Sequence, residues 1–356
     1  MPTPMITGWG KCLPPAVLSN ADLETLTDTS DEWIVTRTGI KERRISHAET
    51  SDLAAVAGRR ALAAAGLGSD DVDLLIVATC TPDRLVPAAA ALVQQKIGAT
   101  RAGAMDLNAA CSGFLYGLAV ADQMVRTGSM RRVLLIGAEK LHFFVDFTDR
   151  ATSVLFGDGA GAVVVEAAEE AGGLLAFELG ADGTAAEILC VPGSGTEGDP
   201  GAERRARVQM EGPTVFRRAV EAMGDASLRV LEKAGRTLDE VDLLIPHQAN
   251  LRIIEATARR LGLDAGKVMV NLAGYGNTSA ASIPIALAEA LEQGRVRPRG
   301  LLVFAAFGGG LTWAAAAYRW GSRVVPMGIS GAALAPGGRS ARELMEPNVT
   351  LYGKGV

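Results

Sequence analysis

The segment Ala65-Gly-Leu-Gly-Ser-Asp-Asp-Val-Asp-Leu-Leu-Ile76 returns 169 positions later as Ala234-Gly-Arg-Thr-Leu-Asp-Glu-Val-Asp-Leu-Leu-Ile245. At nearly the same interval Arg131-Arg-Val-Leu-Leu-Ile136 meets Arg299-Gly-Leu-Leu-Val-Phe304. Val-Asp-Leu-Leu-Ile alone is an ordinary strand sequence, but two matches in order at one interval point to an internal duplication. The chain then divides into two similar halves, 1–170 and 171–320, followed by an extension, 321–356. Active sites in such folds can form where the halves meet.

Within the halves, short apolar runs alternate with longer alanine-rich patterns. Val72–Ala78, Val133–Gly137 and Ala162–Val165 read as buried strands; Ser51–Ala65, Ala88–Ile97 and Gly113–Thr127 read as helices. Ser51 is the expected N-cap of the first helix and Gly66 its stop. This alternation predicts an α/β fold with a mainly parallel sheet. Gly193–Arg207 is polar and glycine-rich, hence a surface loop. The extension shows weak periodicity apart from Arg339–Met345, so the expectation is a poorly structured or docked tail.

Charge and cysteine content exclude several classes. The net charge of −5 gives no basic footprint, so no nucleic-acid partner is expected. The four cysteines (Cys12, Cys80, Cys111, Cys190) and three histidines (His47, His142, His247) are scattered without metal-ligand spacing, so no metal is expected. No apolar run reaches ~18 residues and the N-terminus lacks a signal-peptide pattern, so the expectation is a cytoplasmic protein without a membrane span.

Three residues stand out chemically. Cys111 lies where an apolar segment gives way to a helical pattern; unpaired N–H groups and the helix dipole at such a start favour a nucleophilic thiolate. The alternative is a small buried core residue. His247 follows a strand and precedes the helical run Leu251–Arg260, the usual place for site residues in open α/β sheets, although a structural histidine fits too. Asn277, between Gly276 and Thr278, lies at the counterpart of Cys111, where an asparagine is often only an N-cap. The duplication can bring all three into one pocket.

These stretches, with His247–Asn250 (HQAN), Gly276–Ser279 (GNTS), Ala306–Thr312 (AFGGGLT), Thr29–Ile40 and Phe156–Gly161 (FGDGAG), resemble the β-ketoacyl-ACP synthase III family of thiolase-fold condensing enzymes. The resemblance implies a thiolase-like fold of duplicated halves with layered α-β-α-β-α architecture. The N-terminal half would carry the nucleophile and the C-terminal half the histidine and asparagine. It implies that acyl-CoA acylates Cys111 and that a decarboxylative Claisen condensation with malonyl-ACP follows, in fatty-acid initiation, with no cofactor. His247 and Asn277 would favour loss of CO2, because neutral donors aimed at the malonyl carbonyl stabilise its developing charge. The N–H groups of Cys111 and Gly309 would form the oxyanion hole. CoA would meet Trp33, Arg37, Arg150 and Asn250. Arg217, Arg252, Arg259 and Arg260 would face the acyl carrier protein, and Leu85, Val86, Phe216 and Phe307 would shape the acyl pocket. Each charged or aromatic position has an ordinary surface role as its alternative.

Family relatives act as homodimers whose 85–87 loop reaches the partner's pocket. Here that loop is Leu85-Val86-Pro87, aliphatic where many relatives are aromatic. Ala151 and Tyr275 are further departures, and relatives usually end near Trp320. The alternative within enzymes is a polyketide-type ketosynthase, or an acyltransferase, on the same fold. A hydroxymethylglutaryl-CoA synthase is disfavoured because Pro82-Asp83-Arg84 lacks the expected glutamate. A papain-like peptidase shares only residue types, and an inactive partner subunit would be expected to lack the nucleophile.

Overall fold

The computed structural model describes residues 3–197 and 206–353. Nine strands form its two large sheets. They are β1 (Thr3–Cys12), β2 (Leu74–Ala78), β3 (Gly103–Leu107), β4 (Arg132–Glu139), β5 (Gly159–Ala168), β6 (Gly173–Ala181), β7 (Leu243–Pro246), β8 (Leu301–Gly308) and β9 (Thr312–Arg319). The first sheet runs β1-β5-β4-β2-β3 and the second β6-β9-β8-β7. Leu74 pairs with Val133 in one and Leu243 with Leu302 in the other, so even the register repeats at the interval seen in the sequence. A parallel bridge from Leu244 to Val268 stands beside β7 where β3 stands beside β2.

The helices of eight or more residues are α1 (Asp31–Thr38), α2 (Thr50–Ala65), α3 (Ala89–Ile97), α4 (Gly113–Arg126), α5 (Gly212–Lys233), α6 (Leu251–Leu261), α7 (Ser282–Glu292) and α8 (Ala341–Gly353). Strand residues alternate between faces, and that alternation builds the layers. Ile76, Val133 and Leu135 point one way and pack, with Ile245, Leu302 and Phe304 of the second sheet, around α4 and α7. Leu75, Val77, Leu134 and Ile136 point the other way and meet α2 and α3. Leu244, Val303 and Ala305 meet α5 and α6 on the far side. The architecture is thus α-β-α-β-α, the thiolase-like arrangement.

Two local expectations are corrected. The sheets are mixed rather than mainly parallel: β2 runs parallel to β3 and β4, but β4–β5, β1–β5, β8–β9 and β9–β6 are antiparallel. β8 returns into β9 through residues 309–311, and the longer 140–158 connection between β4 and β5 holds only two helical pieces of four residues each, so neither is a crossover helix of ordinary length. Ser51 is not the N-cap of α2. The N-cap is Glu49, two residues earlier, whose N–H donates to Asp52, while Ser51 Oγ donates to Asp83 Oδ1 at 2.8 Å. Gly66, with φ +71°, does end it.

The extension is docked. Residues 321–340 lack regular structure but cross α2, where Met327 N–H donates to Ala64 O and Ala332 O accepts from Arg60. The expected Arg339–Met345 patch overlaps α8, which starts behind a Ser340–Glu343 capping pair. The expected surface loop at 193–207 is described only at its ends; 198–205 lie outside the described residues.

The two halves touch through glycine. A Cβ on Gly137 of β4 would stand 2.3 Å from the carbonyl oxygen of Ala280, on the other half. Gly137→Ala should therefore cost about 1–3 kcal/mol, the usual penalty for overpacking a core. Urea denaturation measures it; an unchanged midpoint would mean that the halves separate freely.

Candidate active site

The short 3-10 turns Ala110–Ser112 and Ser279–Ala281 lead into α4 and α7 at equivalent places in the two halves. Each holds a non-glycine residue in the left-handed region, Ala110 at φ +47° and Ser279 at φ +48°, a conformation that persists only where surroundings enforce it. These turns fix the register: Asn277 stands opposite Asn108, and Ala280 opposite Cys111. The expectation that Asn277 matches Cys111 is off by three positions.

Cys111 sits in the first turn, ahead of α4. Gly308 at the end of β8 comes so close that a Cβ there would lie 2.6 Å from Cys111 N. Thr312 Oγ1 lies 2.9 Å from Ala109 O and 3.1 Å from Gly309 O, tying the glycine run to the Cys111 turn. His247 leaves the end of β7 with its N–H donated to Ala305 O, and its Nδ1 lies 2.7 Å from Ser282 Oγ. Asn277 is held by backbone bonds to Leu155 and Gly157, and its Oδ1 accepts from Ser279 N–H at 2.8 Å. That leaves the Nδ2 amide as its donor. All three side chains line one cavity of about 1370 Å³.

Burial governs the charges. The Cys111 thiol is pushed up to about 11, chiefly by desolvation; a hydrogen bond with Ser279 lowers it and nearby Glu139 raises it. Desolvation thus runs against the thiolate expected at a helix start. Burial likewise lowers His247 to about 4, so its ring is neutral near pH 7.

Phe216, Phe307, Gly309, Trp33, Arg37, Asn250 and Arg252 share the cavity wall. Arg150 lies over the Trp33 ring at 4.9 Å from its centroid. Asn250 caps α6 through Arg252 N–H and donates to Arg37 O, so its side chain joins α1 to α6. Arg217, Arg252, Arg259 and Arg260 are all exposed on α5 and α6. Arg252 stacks on Phe216, whereas Arg260 pairs with Asp225 at 2.5 Å and Arg259 approaches Glu255 at 3.8 Å. Leu85 and Val86 are 77% and 84% exposed and lie outside this chain's own cavity.

One cluster is not foreseen from sequence. Buried Glu139 accepts from Thr81 Oγ1 at 2.6 Å, from Thr79 Oγ1 and Cys80 N–H at 3.2 Å, and from Ser279 Oγ at 3.0 Å. Burial raises its carboxyl. Its clue was position alone, since Glu139 and Thr79–Thr81 stand at the C-terminal ends of β4 and β2. Among the described residues no group of three or more His, Cys, Asp or Glu could hold a metal, and no helix is long and apolar enough to cross a membrane.

Residues 105–183 match the family profile described as 3-oxoacyl-[acyl-carrier-protein (ACP)] synthase III, 231–320 match its C-terminal profile, and 34–143 match the thiolase N-terminal domain. The chain is 51% identical over 342 residues to beta-ketoacyl-[acyl-carrier-protein] synthase III 2 of Vibrio cholerae, covering 96% of this chain and 94% of that one. An alignment that long extends past residue 320, where the family match ends. The solved 3-oxoacyl-[acyl-carrier-protein] synthase III of Aquifex aeolicus superimposes with a TM-score of 0.84 at 47% identity, covering 89% of this chain and 100% of that one. The priming beta-ketosynthase of the R1128 polyketide pathway gives a TM-score of 0.84 at 37% identity, covering 90% and 97%.

With a thiol near 11, roughly one Cys111 in a thousand is ionised at pH 8. Iodoacetamide labelling of the Cys111 peptide should then rise about tenfold per pH unit from 7 to 9. A plateau below pH 8 in mass-spectrometric rates would mean that the thiolate is already formed at rest.

Proposed function

This chain belongs to the 3-oxoacyl-[acyl-carrier-protein] synthase III family of thiolase-fold condensing enzymes, and we propose that Cys111, His247 and Asn277 carry its two half-reactions. The observation that supports this most is that one cavity receives the thiol from residues 1–170 and the imidazole and carboxamide from residues 171–320.

In the first half-reaction the Cys111 sulfur attacks the acyl-CoA carbonyl. A thioester forms on Cys111, the bond to the CoA sulfur breaks, and CoA leaves as its thiol. Because the resting sulfur is protonated, its proton departs as the new bond forms and ends on the leaving CoA sulfur. The N–H groups of Cys111 and Gly309 hold the tetrahedral oxyanion. Trp33 and Arg150 stack at the entrance, where the adenine and phosphates of CoA would lie, with Arg37 and Asn250 behind them.

In the second, malonyl-ACP enters. Ser282 Oγ already accepts from Gln248 N–H and so suits donation to His247 Nδ1, which keeps the ring proton at Nε2. Nε2–H and the Asn277 Nδ2–H then donate to the malonyl thioester carbonyl. Decarboxylation leaves an enolate, whose carbon attacks the Cys111 thioester; β-ketoacyl-ACP forms and the sulfur leaves to regain its proton. No cofactor takes part. Phe216 and Phe307 border the acyl space.

The exposed arginines 217, 252, 259 and 260 make a basic face for the acidic carrier protein, with Arg252 on the rim. Exposed Leu85 and Val86 suit a homodimer in which each copy closes the other's pocket. A cytoplasmic location goes with this reading. Priming of a polyketide, rather than fatty-acid initiation, is a second reading that the likeness to the R1128 ketosynthase favours.

Cys111→Ala should abolish acyl-enzyme formation, seen as the missing mass increment after acyl-CoA treatment. His247→Ala or Asn277→Ala should retain it while slowing labelled CO2 release from malonyl-ACP by about 10²–10³-fold, the effect of losing an oxyanion donor. Equal loss of both half-reactions in those two variants would refute the division of labour.

A further inference from the structure

The segment beyond residue 320 reaches the substrate cavity from behind. Its helix α8 buries Ala341, Leu344 and Met345 in the apolar cluster that contains Leu18, Ile45, Leu141 and Val208. Asn348 then donates its Nδ2 to three backbone carbonyls of one turn, His142 O at 2.6 Å, Phe143 O at 3.1 Å and Val145 O at 3.2 Å. One helical turn later, Tyr352 O–H donates to Ala206 O at 2.6 Å.

Those two anchor points belong to one wall. Val208 N–H donates to Phe144 O at 2.9 Å, and Arg207 pairs at 2.9 Å with buried Asp146, so the 141–146 turn and the 206–208 segment are already joined. On their other side Leu141, Phe144 and Val208 line the cavity that holds Cys111. Residues outside the family match thus bond both the 142–145 turn and Ala206 from the side away from the cavity.

We infer that α8 is a specificity-determining element: through Asn348 and Tyr352 it sets the position of the Leu141–Phe144–Val208 wall and thereby which acyl chain Cys111 accepts. This rests on the acyl-transfer reading given above. The wall is apolar, and an apolar pocket that changes by the size of one methylene alters discrimination by about 10–200-fold. A wall released from two anchors gives less sharply, so a change of at least about threefold in selectivity is expected.

The test uses the full chain, the double variant Asn348→Ala/Tyr352→Phe, and a truncation after Gly338. Acyl-CoAs from acetyl to dodecanoyl are offered to each, and Cys111 acylation rates are read by intact-protein mass spectrometry beside thermal melting. The expected result is that the double variant remains folded and is still acylated, while the rate ratio between the best chain and one two carbons longer shifts at least about threefold. The truncation should shift it further. An unchanged ratio in the double variant, with or without a lower melting temperature, would overturn the inference and leave α8 as structural support alone. If the full chain itself took no acyl group from any of the thioesters, the acyl-transfer reading would fail and this inference with it, a result distinguished by the silence of the unmodified protein.

Discussion

The cavity lined by Cys111, His247 and Asn277 exists because each half presses the turn ahead of its central helix against a strand end of the other. Gly308 at the tip of β8 lies against the Cys111 amide, and Glu139 at the tip of β4 lies against Ser279. These are equivalent positions filled oppositely: one half supplies an absent side chain, the other a buried carboxylate. The glycine gives the Cys111 backbone room, and the carboxylate anchors the serine whose N–H orients Asn277. Ala110 and Ser279 can hold left-handed backbone at these places only because the contacts surround them.

Desolvation by the surrounding protein pushes both titratable groups of the site toward their neutral forms. A desolvated thiol near 11 beside a desolvated imidazole near 4 rests as two neutral groups rather than an ion pair. Neutrality suits both partners of the proposed chemistry. A histidine without charge donates from Nε2 when its Nδ1 is held by Ser282, and a carboxamide donates without opposing a developing enolate. A protonated histidine would attract the malonyl carboxylate and oppose its loss.

Much of this was legible beforehand. The interval between Ala65–Ile76 and Ala234–Ile245 is the interval between paired elements, because burial on both faces forces the same apolar strand pattern twice. His247 was legible from its place after a strand. The alignment failed locally at Asn277, since glycine-rich turns carry no periodicity to fix a register. The thiolate failed because sequence displays the helix start but not the loss of solvent around it. Sheet direction between β4 and β5 failed because residues 140–158 between them carry only two helical pieces of four residues each, too short to show a periodicity. Glu139 was invisible for a different reason: its partners Thr79, Thr81 and Ser279 lie on two other segments, and only folding makes them neighbours. The tail was legible as an extension, but not as a neighbour of the cavity.

That the thiol's cavity takes walls from both halves has a bearing on how the protein is made. Synthesis proceeds from the N-terminus, so Cys111 emerges from the ribosome long before β7, α7 and β8 exist. A nascent chain therefore carries the Cys111 thiol with no cavity around it. Only when Gly308 has cleared the exit tunnel and closed over the Cys111 amide does that sulfur acquire a substrate site, so truncated translation products would be bystanders in acyl metabolism rather than rogue transferases.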